Sequence, residues 1–212
     1  MAETKRIKKG LNINLLGEAQ KKIAKIEVSE FALKPTDFNG IFPRLLVKEG
    51  DQVKAGTSVF CDKYREQIRF SSPVSGKIEE IRRGDKRILL EVVIKDDKAG
   101  DYEDFGKTDI ASADRGKIKE NLLKSGVWPV IRQRPYNVIA NPDDTPQAVF
   151  ISGFDSAPLA PDYGFTLKDD LVDFQAGVNA MAKLTDGKVF IGVPATDHPL
   201  AGVKNAEITC FE

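Results

Sequence analysis

Residues 71–81 read SSPVSGKIEEI. Two serines and a proline lead through Ser75-Gly76 into a strand pattern whose apolar positions are Ile78 and Ile81. The same grammar repeats on both sides. Upstream, RLLVKEGDQVKAGTSVF (44–60) places turn residues at Glu49-Gly50-Asp51 and Ala55-Gly56, with Val53, Val59 and Phe60 as the apolar positions between and after them. Ile68 and Phe70 alternate just before the opening stretch, and Gly84-Asp85 separates it from the β-rich run Ile88 to Ile94. Short strands at regular spacing with turn residues between them predict a small β-barrel or sandwich.

Beyond this block the pattern changes. KDDKAGDYEDFGKTD (95–109) is acidic, contains glycine and has no periodicity, which marks a linker. In SADRGKIKENLLKSG (112–126), Ser112 stands as an N-cap, Ile118, Leu122 and Leu123 share a face, and Gly126 is the stop. YNVIAN and QAVFISG read as buried strands. TLKDDLVDFQAGVNAMAKLTDG (166–187) has the best helical pattern. Thr166 is the expected cap, Asp169 and Asp170 lie in the first turn, and Leu171, Phe174, Val178 and Met181 form the apolar stripe. The strand KVFIGV follows. Alternating strands and helices imply an α/β layer with some parallel pairing. The apolar AEITCFE at the end closes nothing visible in the sequence, so this second domain is expected to be incomplete at its C-terminus. The division is therefore residues 1–97, an N-terminal extension plus a β domain; 98–110, a linker; and 111–212, an α/β domain of Rossmann-like type.

Composition narrows the function. Lysine plus arginine equals aspartate plus glutamate, 32 against 32 in 212 residues. That balance argues against a general nucleic-acid binder, although it leaves room for a local basic patch. The two cysteines, Cys61 and Cys210, have neither disulfide-framework nor metal-site spacing and read as reduced thiols. MAETKRIKKGLN is charged with no apolar region behind it, so it does not read as a signal peptide. No apolar run approaches the roughly 20 residues of a membrane span.

The β block resembles the domains that carry biotin or lipoyl on a lysine arm, with Asp62-Lys63 in the place of their Asp-Lys. Two spacings argue against modification. The segment from Gly50 to Lys63 is shorter than in those domains and the segment from Lys63 to Pro73 is longer, which moves the lysine away from the hairpin tip. The neighbours Asp62 and Tyr64 also differ from the methionines of biotin carriers. The scaffold is expected, the arm is not; a carrier domain acylated on Lys63 stays as an alternative.

IKKGLNINLLG (7–17), LLVKEGDQVKAGTSVFCDK (45–63), RFSSPVSGKIEEIRRGDKR (69–87) and VIRQRPYNVIANPDDTPQAVFISGFDSAPLAPD (130–162) together resemble the NqrA family, the A subunits of the bacterial sodium-translocating NADH:quinone reductase. The C subunit of the Rnf-type electron-transport complex shares a similar barrel and is the nearest alternative; the opening IKKGL favours NqrA. The resemblance implies a mixed α+β and α/β protein: a barrel-sandwich hybrid of biotinyl/lipoyl type, then an α/β domain like the flavin-binding domain of the complex I NADH-oxidising subunit. It implies a peripheral protein on the cytoplasmic side of the bacterial inner membrane. There it docks on the other subunits, especially the membrane-embedded B subunit, in a sodium pump that oxidises NADH and reduces ubiquinone or menaquinone.

In the flavin-binding relatives a glycine-rich loop lets backbone N–H groups reach a phosphate. The matching stretch here, SGVWPVIRQRPYN (125–137), has one glycine, two prolines and a tryptophan. Proline removes donors and tryptophan adds bulk, so neither FMN nor NAD is expected on this chain. No metal-ligand motif, GxGxxG or Walker sequence is present. Arg132 and Arg134, beside Trp128 and Tyr136, could hydrogen-bond an anionic headgroup, a partner's carboxylates or a quinone carbonyl; an ordinary solvated loop is the competing reading. Phe150, Phe154, Leu159 and Phe165 could line an apolar quinone pocket; buried core is the competing reading for most of them. His198, the only histidine, could relay a proton near a quinone or do nothing. Lys8, Lys9 and Leu11 belong to a basic, amphipathic extension that reads as a contact for a partner, or as a barrel strand behind a loose tail.

Overall fold

The computed structural model describes residues 3–6, 9–10, 13, 15–17 and 19–211. Its first strand, β1 (Glu3–Lys5), belongs to the second of two compact units, taken up below. The barrel unit comprises residues 25–108 and 116–144.

Two antiparallel sheets build the barrel. One has the order β2 (Glu30–Leu33), β8 (Leu89–Asp96), β7 (Gly76–Arg83), β4 (Gln52–Val53); the other runs β3 (Pro43–Leu45), β5 (Ser58–Asp62), β6 (Arg65–Ser71). Strand alternation places Ile68, Phe70 and Ile78 inside, with Gln67, Arg69 and Lys77 outside. The rings of Phe60 and Phe70 stack at 4.5 Å, and Phe38 meets Phe70 edge-on at 4.7 Å. Gly76, the glycine of the opening stretch, has φ 151° and sits against β8; a Cβ there would lie 2.0 Å from the carbonyl oxygen of Lys95. Only glycine lets the two strands meet at that point.

Strand β5 breaks the alternation. Val59, Phe60, Cys61 and Asp62 are all buried, because both of its faces are covered. The acidic 98–108 stretch is held against the β4–β5 turn: Thr57 Oγ1 donates to the Glu103 carboxylate at 2.8 Å, and Phe105 lies under Gly56.

Helix α1 (Arg115–Lys124) buries Ile118. It begins after the expected cap: the Ser112 hydroxyl donates to the Asp109 carboxylate at 2.8 Å inside a preceding turn. Gly126 stops it as expected, at φ 76°, with the N–H of Gly126 on Leu123 and that of Val127 on Leu122. The same glycine permits close approach to β6, since a Cβ would fall 2.2 Å from Ser71 Oγ. YNVIAN, expected as a buried strand, supplies only Val138–Ile139, β10, paired antiparallel with β9 (Arg132–Gln133) in a small hairpin of the barrel unit.

The α/β unit comprises residues 3–24, 109–115 and 145–211. Its sheet has the order β1, β13 (Glu207–Phe211), β12 (Lys188–Val193), β11 (Ala148–Ser152), all parallel. AEITCFE is therefore an inner strand, and Glu3–Lys5 pair with it in parallel. A short helix, α2 (Tyr163–Thr166), precedes α3 (Leu171–Leu184). Thr166 thus ends α2 instead of capping α3, whose N-cap is Asp170. The expected stripe of α3 holds: Leu171, Phe174, Val178 and Met181 pack with Val189, Ile191, Val193, Leu200 and Cys210. QAVFISG forms β11 at the sheet edge, and it is only partly buried.

Candidate functional site

The 128–139 hairpin is built on a single 3-10 turn. Trp128 and Pro129 are buried, with Trp128 only 5% exposed, and the indole Nε1 donates to the carbonyl oxygen of Ala140 at 2.8 Å. That bond fastens the start of the segment to its return strand. The backbone N–H groups of Ser125, Gly126, Val127, Val130 and Ile131 all donate to carbonyls of residues 121–128. Pro129 has none to give. Those five donors are engaged within the segment itself.

The outer side of the hairpin is polar and open. Arg132 lies with its guanidinium 5.3 Å from the Phe38 ring centre, a cation–π contact that fixes the arm. Gln133 Oε1 accepts from the N–H of Asn141 at 3.1 Å. Arg134 is exposed and precedes a cis proline, and Tyr136 is 82% exposed. Three of the four candidates on this segment, Arg132, Arg134 and Tyr136, are thus exposed, while Trp128 is buried.

Phe154 and His198 belong to the other compact unit, in the loops that follow β11 and β12. These are the carboxyl ends of parallel strands, where α/β folds place ligands. Phe154 is half-buried, 6.0 Å from the ring of Phe211. His198 is half-buried; its Nδ1 accepts from the N–H of Leu200 at 3.3 Å, and Nε2 lies against Gly164 at the start of α2. Beside it, Asp162 caps α2. The N–H of Phe165 at 3.1 Å and then the Lys21 ammonium at 3.2 Å hold its carboxyl below the usual carboxylate range. At the opposite end of the strands lies a groove of about 660 Å³ whose polar lining is already engaged: Asn179 accepts from Gln175 and Asn205, and Lys188 pairs with Glu207.

Lys63 is a correction. It occupies, with Tyr64, the two-residue turn between β5 and β6, so it does sit at a hairpin tip and is exposed. The turn is closed from within by Asp62, 1% exposed, whose carboxylate accepts from the N–H of Phe42 (3.2 Å), the N–H of Tyr64 (3.4 Å) and Nε of Arg65 (3.0 Å). Counting residues along the chain missed this because a buried carboxylate, not a glycine, makes the turn. Lys9 is exposed; Lys8 and Leu11 lie outside the described residues. Among the described residues no cluster of His, Cys, Asp and Glu could hold a metal, and no helix is long and apolar enough to cross a membrane.

Two family models match in succession: the NqrA N-terminal barrel-sandwich hybrid domain over residues 5–97 and the NqrA second alpha/beta domain over residues 113–212. The chain belongs to the NqrA family. Relatives named as the A subunit of Na(+)-translocating NADH-quinone reductase agree with it at 33–36% identity. The protein of Saccharophagus degradans is 33% identical over 210 residues, 97% of this chain and 47% of its own length. That of Serratia proteamaculans is 36% identical over 191 residues, covering 88% and 42%. That of Neisseria meningitidis serogroup A is 35% identical over 206 residues, covering 95% and 46%. The chain spans just under half the length of these relatives. Both expected fold types, the barrel-sandwich hybrid and the α/β domain, are present in the expected order. The matches favour NqrA and lend nothing to an Rnf-type C subunit.

Proposed function

We propose that this chain is part of a non-flavin component of a redox-driven sodium pump, one that oxidises NADH and reduces ubiquinone or menaquinone. It works by being held against other subunits, the membrane-embedded B subunit foremost, at the cytoplasmic side of the inner membrane. Its working parts are residues 1–97 and 111–212. The observation that carries this reading is the succession of two NqrA domains along one chain, with relatives whose names state the activity.

The chain's own residues fit a docking role better than a catalytic one. Burial of Trp128 and Pro129, and the pairing of the N–H groups of Ser125, Gly126, Val127, Val130 and Ile131 within the segment, support a reading without FMN or NAD on this chain. Arg132, Arg134 and Tyr136 offer exposed donors for a partner's carboxylates or a quinone carbonyl. His198 and Phe154, both half-buried in loops after the parallel strands, are the corresponding contacts of the α/β unit. The N-terminal segment with Lys8, Lys9 and Leu11 is a second place of contact with the rest of the pump.

The test is assembly of the sodium pump around an NqrA polypeptide carrying Arg134→Ala together with Tyr136→Ala. The expected result is a weakened association on co-purification, or a raised KM for quinone at unchanged NADH oxidation. Normal assembly with normal quinone kinetics would refute a working role for the hairpin.

A further inference from the structure

The parallel sheet is finished on one face only. Val149, Ile151, Val189, Ile191, Val193, Ile208 and Cys210 point into the core under α3. On the opposite face the register sets Phe150 beside Phe190, their rings 5.1 Å apart and 13° from parallel, and Phe211 lies against Phe154 across Gly192. Phe150 is 77% exposed. Phe154, Phe190 and Phe211 are half-buried, so the exposure is concentrated at Phe150. Parallel sheets are almost always covered on both faces, and a phenylalanine left in water costs apolar hydration with no return.

Topology explains the asymmetry. From β11 to β12 to β13 the chain steps in one direction across the sheet. Right-handed crossovers in one direction deposit every connection on one face, as α3 and the loop carrying Leu200 are deposited. Only a step the other way, beyond β11, brings a helix over the Phe150 face. Such a step also pairs a new strand with β11, whose outer edge has no neighbour among the described residues. A sheet that reverses in this manner is doubly wound, with its crevice at the reversal, where the loop of Phe154 lies.

We propose that the Phe150 face and the β11 edge seat a strand–helix unit supplied by the distal half of the full-length NqrA polypeptide. The relatives carry the necessary length, since this chain accounts for only 42–47% of theirs. The occupant is a strand parallel to β11 followed or preceded by a helix with an apolar stripe over Phe150 and Phe190. This inference rests on family membership and is independent of the quinone reading; it survives if the hairpin variants above prove silent.

Thiol labelling tests it. Both native cysteines are buried, so Phe150→Cys reports on its own position, with Glu79→Cys on the barrel as the reference. The 212-residue chain is compared with the same chain continued by the distal half of the Serratia proteamaculans relative. Position 150 is expected to label at least about tenfold more slowly in the longer polypeptide, with the reference unchanged. Equal rates would overturn the proposal. So would concentration-dependent protection in the 212-residue chain alone, which would make a second copy the occupant. As an independent readout, Phe150→Glu is expected to leave the unfolding midpoint of the 212-residue chain unchanged and to expose the distal half of the longer polypeptide to proteolysis. A distal half still resistant in that variant would refute the seat.

Discussion

Asp62 offers a direct test of how the Lys63 turn is made. The carboxylate is buried and serves three donors, two of them backbone N–H groups and one the Arg65 guanidinium. Asp62→Ala strands the two N–H groups, each costing about 1–3 kcal/mol when unmatched. Breaking a buried ion pair costs about 3–5 kcal/mol when the survivor stays buried. Arg65 keeps 29% of its side chain in water, so it rehydrates and most of that penalty is avoided. The net expectation is a loss of about 2–4 kcal/mol. Asp62→Asn, which retains one acceptor for Phe42 and Tyr64, should lose about half as much. The single tryptophan, Trp128, lies in the same compact unit and supplies the signal. With a urea slope near 2 kcal/mol/M, the fluorescence midpoint should fall by about 1–2 M for alanine. A shift below about 0.3 M would mean that the turn is held by other contacts and that the buried carboxylate is incidental.

Gly76→Ala must place a methyl where the Lys95 carbonyl oxygen now lies and adopt a strained φ; a loss of about 3 kcal/mol or more, measured by the same urea titration, is expected. Trp128→Phe leaves the Ala140 carbonyl without its donor and should cost about 1 kcal/mol while leaving the far-ultraviolet spectrum intact. The Asp97 carboxyl is held below its usual range by the Ser75 hydroxyl and the N–H of Ala99. A depressed folded value contributes stability above the unfolded value of about 3.9, which disappears as pH falls through the folded one. Melting temperatures of the native chain and Asp97→Asn should therefore converge on acidification below about pH 4. Curves that stay parallel would refute the assignment. Intact mass should show Lys63 unmodified; an added lipoyl or biotin mass would restore the carrier reading.

What could be read from the sequence was local. Turns announced by Gly50-Asp51 and Gly76, the strand alternation of Ile68, Phe70 and Ile78, and the stripe of α3 each lie within a few residues of their cause. Partners far apart in the chain were opaque. Nothing in AEITCFE announces that it will lie between β12 and β1, because a parallel ladder leaves no mark on either strand. The same holds for the hairpin of residues 132–139, whose stability comes from an indole buried twelve residues from its acceptor. Site residues were readable as chemical types, two arginines and a tyrosine near a tryptophan, but not as a division of labour. Trp128 spends its side-chain donor on the Ala140 carbonyl, while Arg134 and Tyr136 are exposed. A substitution that released the indole would be felt first at those two side chains, through the slackened hairpin, before it was felt at any ligand.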